Sequence, residues 1–307
     1  MEEDILNHSG SVFNPLKFPA IFSFPDRLVQ PGSWVEHIPF AMFLIYILHP
    51  KRIVELGTHT GNSYCAFCQA IKEQGLDSEC FAIDTWKGDI HSGFYGEEIW
   101  NDLKNYHDPL YGEFSKLIKS TFDQAVHLFD DGSIDLLHID GLHTYEAVRH
   151  DFETWLPKVN SGGVILLHDT MVRDNNFGVW KFWEELRPEF PNFEFYHGSG
   201  LGVLVHGNEY SELLRIFFEK KQDHNELRNF FSFIGSRWDR ELTMRTLFVE
   251  LSQRDIAIDQ CKAQSIILNE ELLILNEELL ECVTSGSWKF TRPIRRFNKW
   301  LQEYRNV

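Results

Sequence analysis

Basic charge is what this chain is short of. Its 307 residues hold 29 Lys and Arg against 46 Asp and Glu, a formal net charge of −17. Nucleic-acid binders need a basic face, so this balance argues against that class, although a local basic patch still fits within it. Cysteine is scarce as well. There are five, an odd number with no second pair to complete a zinc-like set. Cys65 and Cys68 stand three apart on a predicted helix and are expected as core thiols. Long apolar runs are missing too: the longest, 38–48, is broken by Pro39 and is too short to span a bilayer. The opening MEEDILNHSG has neither the basic stretch nor the apolar core of a secretory signal, so the cytoplasm is the expected compartment. Hydrophobic residues are plentiful, at 43%, with 14% aromatic, enough for a sizeable core. The length suggests one large domain with an appendage, or two domains.

The order of elements follows from pattern. Residues 1–33, rich in Pro, Phe and Ser, are expected as an N-terminal arm, and 34–48 as an apolar helix. Strands are predicted at 52–57, 79–84, 116–120, 134–139 and 164–167, with helices at 61–74, 121–129, 144–156 and 177–186. Gly162-Gly163 marks a turn before the fifth strand. An insert over 85–111 carries Gly88, Gly93, Gly96 and a polar helix near 97–106. Two closing strands, 193–196 and 202–205, are joined by His197-Gly-Ser-Gly200. Buried strands alternating with helices give an α/β class. The expected fold is a doubly wound, mostly parallel seven-stranded Rossmann-like sheet with an antiparallel edge, 34–207, followed by a C-terminal helical coiled-coil extension.

Beyond it, 208–245 is expected as a helical linker region. A heptad then places Leu251, Ile258, Ser265, Leu272 and Leu279 at one position, and Arg254, Cys261, Leu268, Leu275 and Cys282 at another. This predicts a coiled coil over 246–284 that makes a homo-oligomer. The tail, 285–307, sets Lys289, Arg292, Arg295, Arg296, Lys299 and Arg305 against a single Glu303. Phe290, Ile294, Phe297, Leu301 and Tyr304 recur at helical spacing beside them. Such a basic amphipathic helix suits an anionic membrane surface or an acidic partner.

Ligands of parallel sheets sit outside the carboxyl ends of the strands. Here every such end is polar. The first strand runs into Glu55 and a turn with Gly57 and Gly61, neither a dinucleotide fingerprint nor a P-loop. The second ends in Asp84, which can accept both hydrogen bonds of a ribose diol. The third ends near Ser120, Thr121 and Phe122, a hydroxyl and a ring able to border an adenine. The fourth ends in Asp140, followed by His143, and the fifth in His168 and Asp169. The series points to a nucleoside-type ligand.

ELGTHTGNS, the FAID ending at Asp84, LLHIDGLHTYE and GGVILLHDT together resemble the class I S-adenosylmethionine-dependent methyltransferases, over about 34–207. The resemblance implies S-adenosyl-L-methionine as cofactor, held by Glu55, Gly57, Thr58, Gly61, Asn62, Ser63, Asp84, Thr85, Thr121, Phe122 and Asp140. DGLHTYE, HDT and the DTWKGD insert look closest to the branch working beside glycosyltransferases and to relatives of the macrocin and cephamycin pathway enzymes. That branch implies a hydroxyl of a sugar or glycan precursor as methyl acceptor. It also implies polysaccharide biosynthesis and a glycosyltransferase partner, or attachment at the inner membrane surface, through the tail. The catechol O-methyltransferase-like enzymes of the wider class bind a divalent metal, such as Mg2+, at positions matching Asp140 and Asp169. Their next ligand is an amide where this chain has Thr170, so His168 or a water would have to complete the set. His143 is the expected base, His168 the second choice, and Asp140 a further catalytic group. His138 is expected in the core, and His59 against cofactor or solvent. Trp86, Phe94 and Tyr95 are expected on a lid, as sugar-stacking faces or as a brace. Rival readings are a natural-product or N-methyltransferase on the same fold, and a coiled-coil scaffold with a vestigial cofactor site.

Overall fold

The computed structural model describes residues 13–207, 210, 213–218 and 224–305. The first part of the predicted arm and parts of the predicted linker lie outside the described residues. The chain divides into two compact units, Met1–Thr243 and Met244–Val307.

The first unit is built on a seven-stranded sheet. Its strands are β1 (Arg52–Leu56), β2 (Glu79–Asp84), β5 (Ser115–Lys119), β6 (Ile134–Ile139), β7 (Val159–His168), β8 (Asn192–Phe195) and β9 (Leu201–Val205). They lie in the order β5-β2-β1-β6-β7-β9-β8. The first five are parallel, and β9 runs antiparallel between β7 and β8. The predicted antiparallel edge is therefore a hairpin whose reversed strand lies one place inside the sheet. Successive residues feed opposite faces: Leu136 and Val164 join one core, Leu137 and Ile165 the other. Burial on both faces explains why these strands read as unbroken apolar runs. Helices α1 (Ile38–Leu48) and α2 (Asn62–Gln74) cover the first face. Helices α5 (Tyr145–Trp155) and α6 (Val179–Leu186) cover the second.

Between β2 and β5 the insert folds as a short hairpin, β3 (Gly88–Asp89) and β4 (Gly93–Phe94), and a helix α3 (Glu97–Tyr111). A single turn of helix, α4 (Phe122–Ala125), follows β5. The predicted turn at Gly162-Gly163 lies inside β7. Ile134 pairs with Val159 and Leu136 with Val164, so the glycines form a bulge where β7 spends extra residues. The described arm lies along α2. Buried Arg27 donates from Nε to the Thr60 carbonyl at 2.7 Å and from its guanidinium to Asp102 at 2.6 Å. Cys65, Cys68 and Cys80 are buried free thiols, in keeping with a core role. Burial pushes the Cys65 and Cys68 thiols well up, away from the reactive thiolate.

Two helices follow the sheet, α7 (Arg215–Phe218) and α8 (His224–Thr284), and the latter crosses into the second unit. Within that unit, α8 from Met244 onward is joined to α9 (Gly286–Arg305) through Ser285. Ser285 N donates to Glu281 O, and Lys289 N to Ser285 O, so helical bonding carries through the junction. Leu268, Leu272, Leu275 and Leu279 on the predicted seam are all exposed. Among the described residues, no helix is long and apolar enough to cross a membrane.

Candidate active site

The carboxyl ends of β1, β2, β6 and β7 open into one cavity of about 650 Å³. Backbone bonds bring these ends together: Gly57 N donates to Ile83 O at 2.9 Å, and Asp140 N to Leu56 O at 2.8 Å. The approach is so close that a Cβ on Gly57 would lie 2.0 Å from the Asp140 carbonyl oxygen, at a φ of +85°. Only glycine meets both demands. Beyond this turn, Thr58, Asn62 and Ser63 border the cavity at the start of α2. The first N–H groups of any helix lack intrahelical acceptors and favour an anionic ligand. Asp84 accepts from His59 N at 2.9 Å and from Trp86 N at 2.7 Å, which fixes its carboxylate at the cavity wall. Thr85, Thr121 and Phe122 border the same space.

Two predicted cofactor residues do not. Gly61, at φ +81°, makes room for Leu103, whose Cδ1 would be 2.5 Å from a Cβ there. Glu55 is fully buried and its Oε2 lies 2.8 Å from His138 Nδ1. The Trp34 indole N–H donates to His138 Nε2 at 3.1 Å, so the imidazole proton sits on Nδ1 and donates to Glu55. Glu55 thus completes a buried chain from the arm to the sheet and lies outside the cavity lining, and His138 is the core histidine expected of it. Asn62 borders the cavity, but its side-chain amide is spent on Val29 and Pro31 of the arm.

Next to the β1 turn, at the ends of β6 and β7, stand Asp140, His143 and Asp169 on the same cavity. One ligand-capable atom from each lies within 4.8 Å of the other two. His143 Nε2 is 3.3 Å from Asp140 Oδ1 and 2.9 Å from Asp169 Oδ2. His168 Nδ1 faces the same two carboxylates at 3.2 and 3.5 Å, while its Nε2 donates to the Gly198 carbonyl at 2.9 Å. Burial disfavours both imidazolium cations, yet the two carboxylates outweigh it. They lift His143 to about 9 and His168 well above its ordinary value. Burial likewise opposes the charge on Asp140 and Asp169, but the histidines hold both carboxyls well below the usual range. Asp169 adopts φ +64°, a left-handed conformation unusual for a side-chain-bearing residue, with its N–H on Gly200 O. Thr170, in the position of the missing amide, is fully buried and does not border the cavity.

Several bordering residues carry no sequence signal. The Phe177 ring stacks on His143 at 4.7 Å and 8°, and on His91 at 4.4 Å. His91 Nε2 donates to Asn175 O at 2.9 Å, tying the β3–β4 hairpin to the loop before α6. Only folding reveals this link, because the partners are 84 residues apart. Of the lid aromatics, Trp86 is a brace: it is buried, donates to His59 O at 2.9 Å and packs on Trp100. Tyr95 packs on the His59 ring at 4.8 Å, and Phe94 is exposed.

Residues 54–170 match a family model described as a methyltransferase domain, the class the strand-end motifs resemble. An uncharacterized protein of Sinorhizobium fredii, y4gI, is 42% identical over 253 residues, covering 81% of this chain and 28% of that protein. An uncharacterized protein of Acanthamoeba polyphaga mimivirus, R132, is 29% identical over 125 residues, covering 38% of this chain and 50% of that one. The chain thus spans half or less of the length of these curated relatives. Among solved structures, a putative caffeoyl-CoA O-methyltransferase from Staphylococcus aureus is similar at a TM-score of 0.45 and 16% identity. That likeness covers 63% of this chain and 90% of the other.

Proposed function

We propose that this chain transfers a methyl group from S-adenosyl-L-methionine to a hydroxyl of a sugar or other polyhydroxylated acceptor, with a divalent metal ion at Asp140, His143 and Asp169. The observation that carries this reading is a shared cavity. The β1 turn, Asp84 and the carboxylate–imidazole cluster all border it. When bound, the sulfonium supplies an electrophilic methyl, and the metal ion lowers the pKa of the acceptor hydroxyl.

The chain's own residues divide the remaining work. Asp84 accepts from the ribose diol, Thr121 and Phe122 border the base, and the start of α2 receives the amino-acid carboxylate. Two carboxylates and an imidazole fit a divalent ion, and the nitrogen donor favours manganese, iron or zinc over magnesium. Ligation requires a neutral His143, so ion binding would displace its proton. In this reading His143 is a ligand, and the role of base assigned to it from the sequence gives way. His168 is a positioning residue that keeps Asp140 and Asp169 side by side. The cavity is also lined by Asp89, His91, Ser92, Asp174, Asn175 and Ser199, a polar set suited to an acceptor rich in hydroxyls.

The test is methyl transfer from labelled cofactor, with manganese present, to a panel of sugar and catechol diols and to amines. Label on a hydroxyl acceptor, reduced at least about a hundredfold in Asp169→Asn, is the expected result. Label on amines alone, or transfer insensitive to Asp169→Asn and to chelation, would contradict it.

A further inference from the structure

Three successive residues of the loop joining β8 to β9 have a left-handed backbone: Gly198 at φ +53°, Ser199 at +68° and Gly200 at +90°. Such a run, with a side chain in its middle, persists only where its surroundings fix it. The end of β7 fixes it from one side. Asp169 N donates to Gly200 O at 3.0 Å, Met171 N to Ser199 O at 2.9 Å, and His168 Nε2 to Gly198 O at 2.9 Å. A 3-10 turn of the chain just before α1, Val35–His37, fixes it from the other. Glu36 Oε2 accepts from Gly198 N at 2.9 Å, and His37 Nε2 lies 3.0 Å from Gly198 O. A carbonyl only accepts, so His37 carries a proton on Nε2, and Gly198 O takes two imidazole N–H groups on its two lone pairs. His37 is fully buried. Helix α8 backs this turn: a Cβ on Gly235 would lie 1.9 Å from Glu36 O, and Trp238 packs on Phe24 of the arm at 4.8 Å.

We infer that Glu36 and His37 are positioning residues of the metal cluster, acting through Gly198 on His168. Together they hold both polar backbone groups of Gly198. That fixes the carbonyl to which His168 Nε2 donates, and so the direction in which His168 Nδ1 faces Asp140 and Asp169. The same hold keeps Gly200 O under the Asp169 N–H. Partners one step removed from a metal set the orientation of its ligands, and with it the affinity for the ion. Neither Glu36 nor His37 borders the cavity. Both lie outside 54–170, the span that matches the methyltransferase family model, as do Gly198 and Gly235. The cluster is thus completed by the segment before that span and by the loop and helix after it. This inference rests on the assignment of a metal ion to Asp140, His143 and Asp169.

Two affinities, measured on the full chain and four variants, test it. Manganese binding is read from the electron paramagnetic resonance signal of the free ion, and S-adenosylhomocysteine binding from calorimetry. Glu36→Ala and His37→Phe each remove one hold on Gly198. Glu36→Gln keeps an acceptor, and His37→Gln keeps a donor at similar reach. The expected result is manganese binding about tenfold weaker in Glu36→Ala and His37→Phe, and within about twofold of wild type in the two Gln variants. S-adenosylhomocysteine affinity should be unchanged in all four, which separates positioning from a general loss of structure. Equal manganese affinity throughout, Gln variants as weak as the other two, or a parallel loss of both ligands would overturn the inference while leaving the metal assignment in place. A wild type that binds no manganese would overturn that assignment, and this inference with it.

Discussion

At the scale of single residues, burial decides what the polar groups of the first unit can do. Asp151 on α5 lies against Gly141, the residue after Asp140, with its Oδ2 3.3 Å from where a Cβ would stand. Burial raises its carboxyl to about 7, eased by His150 and reinforced by Asp123. The folded state therefore keeps this proton after the unfolded chain, with an ordinary carboxyl, has lost it. Stability falls as pH rises from about 4 to about 7 and is flat above that. Asp151→Asn removes the effect. Between pH 5 and 8 the wild type should lose on the order of 2 kcal/mol more than the variant in denaturant unfolding. Equal losses would show that Asp151 ionises freely in the fold. The same burial logic separates Glu55, held by His138, from Asp84, which stands at the cavity wall.

At the scale of elements, the cavity exists because the ends of β1, β2 and β6 are drawn together by glycine. Gly57→Ala must relieve a contact of 2.0 Å with backbone as well as a positive φ. A loss of about 3 kcal/mol or more, with the cavity distorted, is expected. Gly75→Ala, also at positive φ but with nothing within 4 Å, should cost only about 1 kcal/mol. Thermal unfolding of both variants checks the contrast, and equal losses would mean that the turn relaxes freely. The strands and their polar ends were legible in the sequence, because a strand buried on both faces shows as an apolar run that stops at its ligand end. The bulge at Gly162-Gly163 was not, since two glycines spell a turn equally well. Nor were Trp34 on His138 or Asn62 on the arm, which join residues 104 and 33 positions apart. Asp140, His143 and Asp169 were each legible as strand-end groups. That His143 faces both carboxylates depends on the Phe177 ring stacked on it and on the left-handed Asp169.

At the scale of the whole chain, the sheet unit carries the central proposal: its cavity suits a nucleoside-bearing methyl donor. Calorimetric titration with S-adenosylhomocysteine tests this assignment most directly. The account predicts one site per chain. Asp84→Ala should weaken it about a hundredfold, by removing the charged acceptor of the ribose diol. No heat of binding in the wild type, or equal affinity in wild type and Asp84→Ala, would contradict the assignment of this cavity to the cofactor.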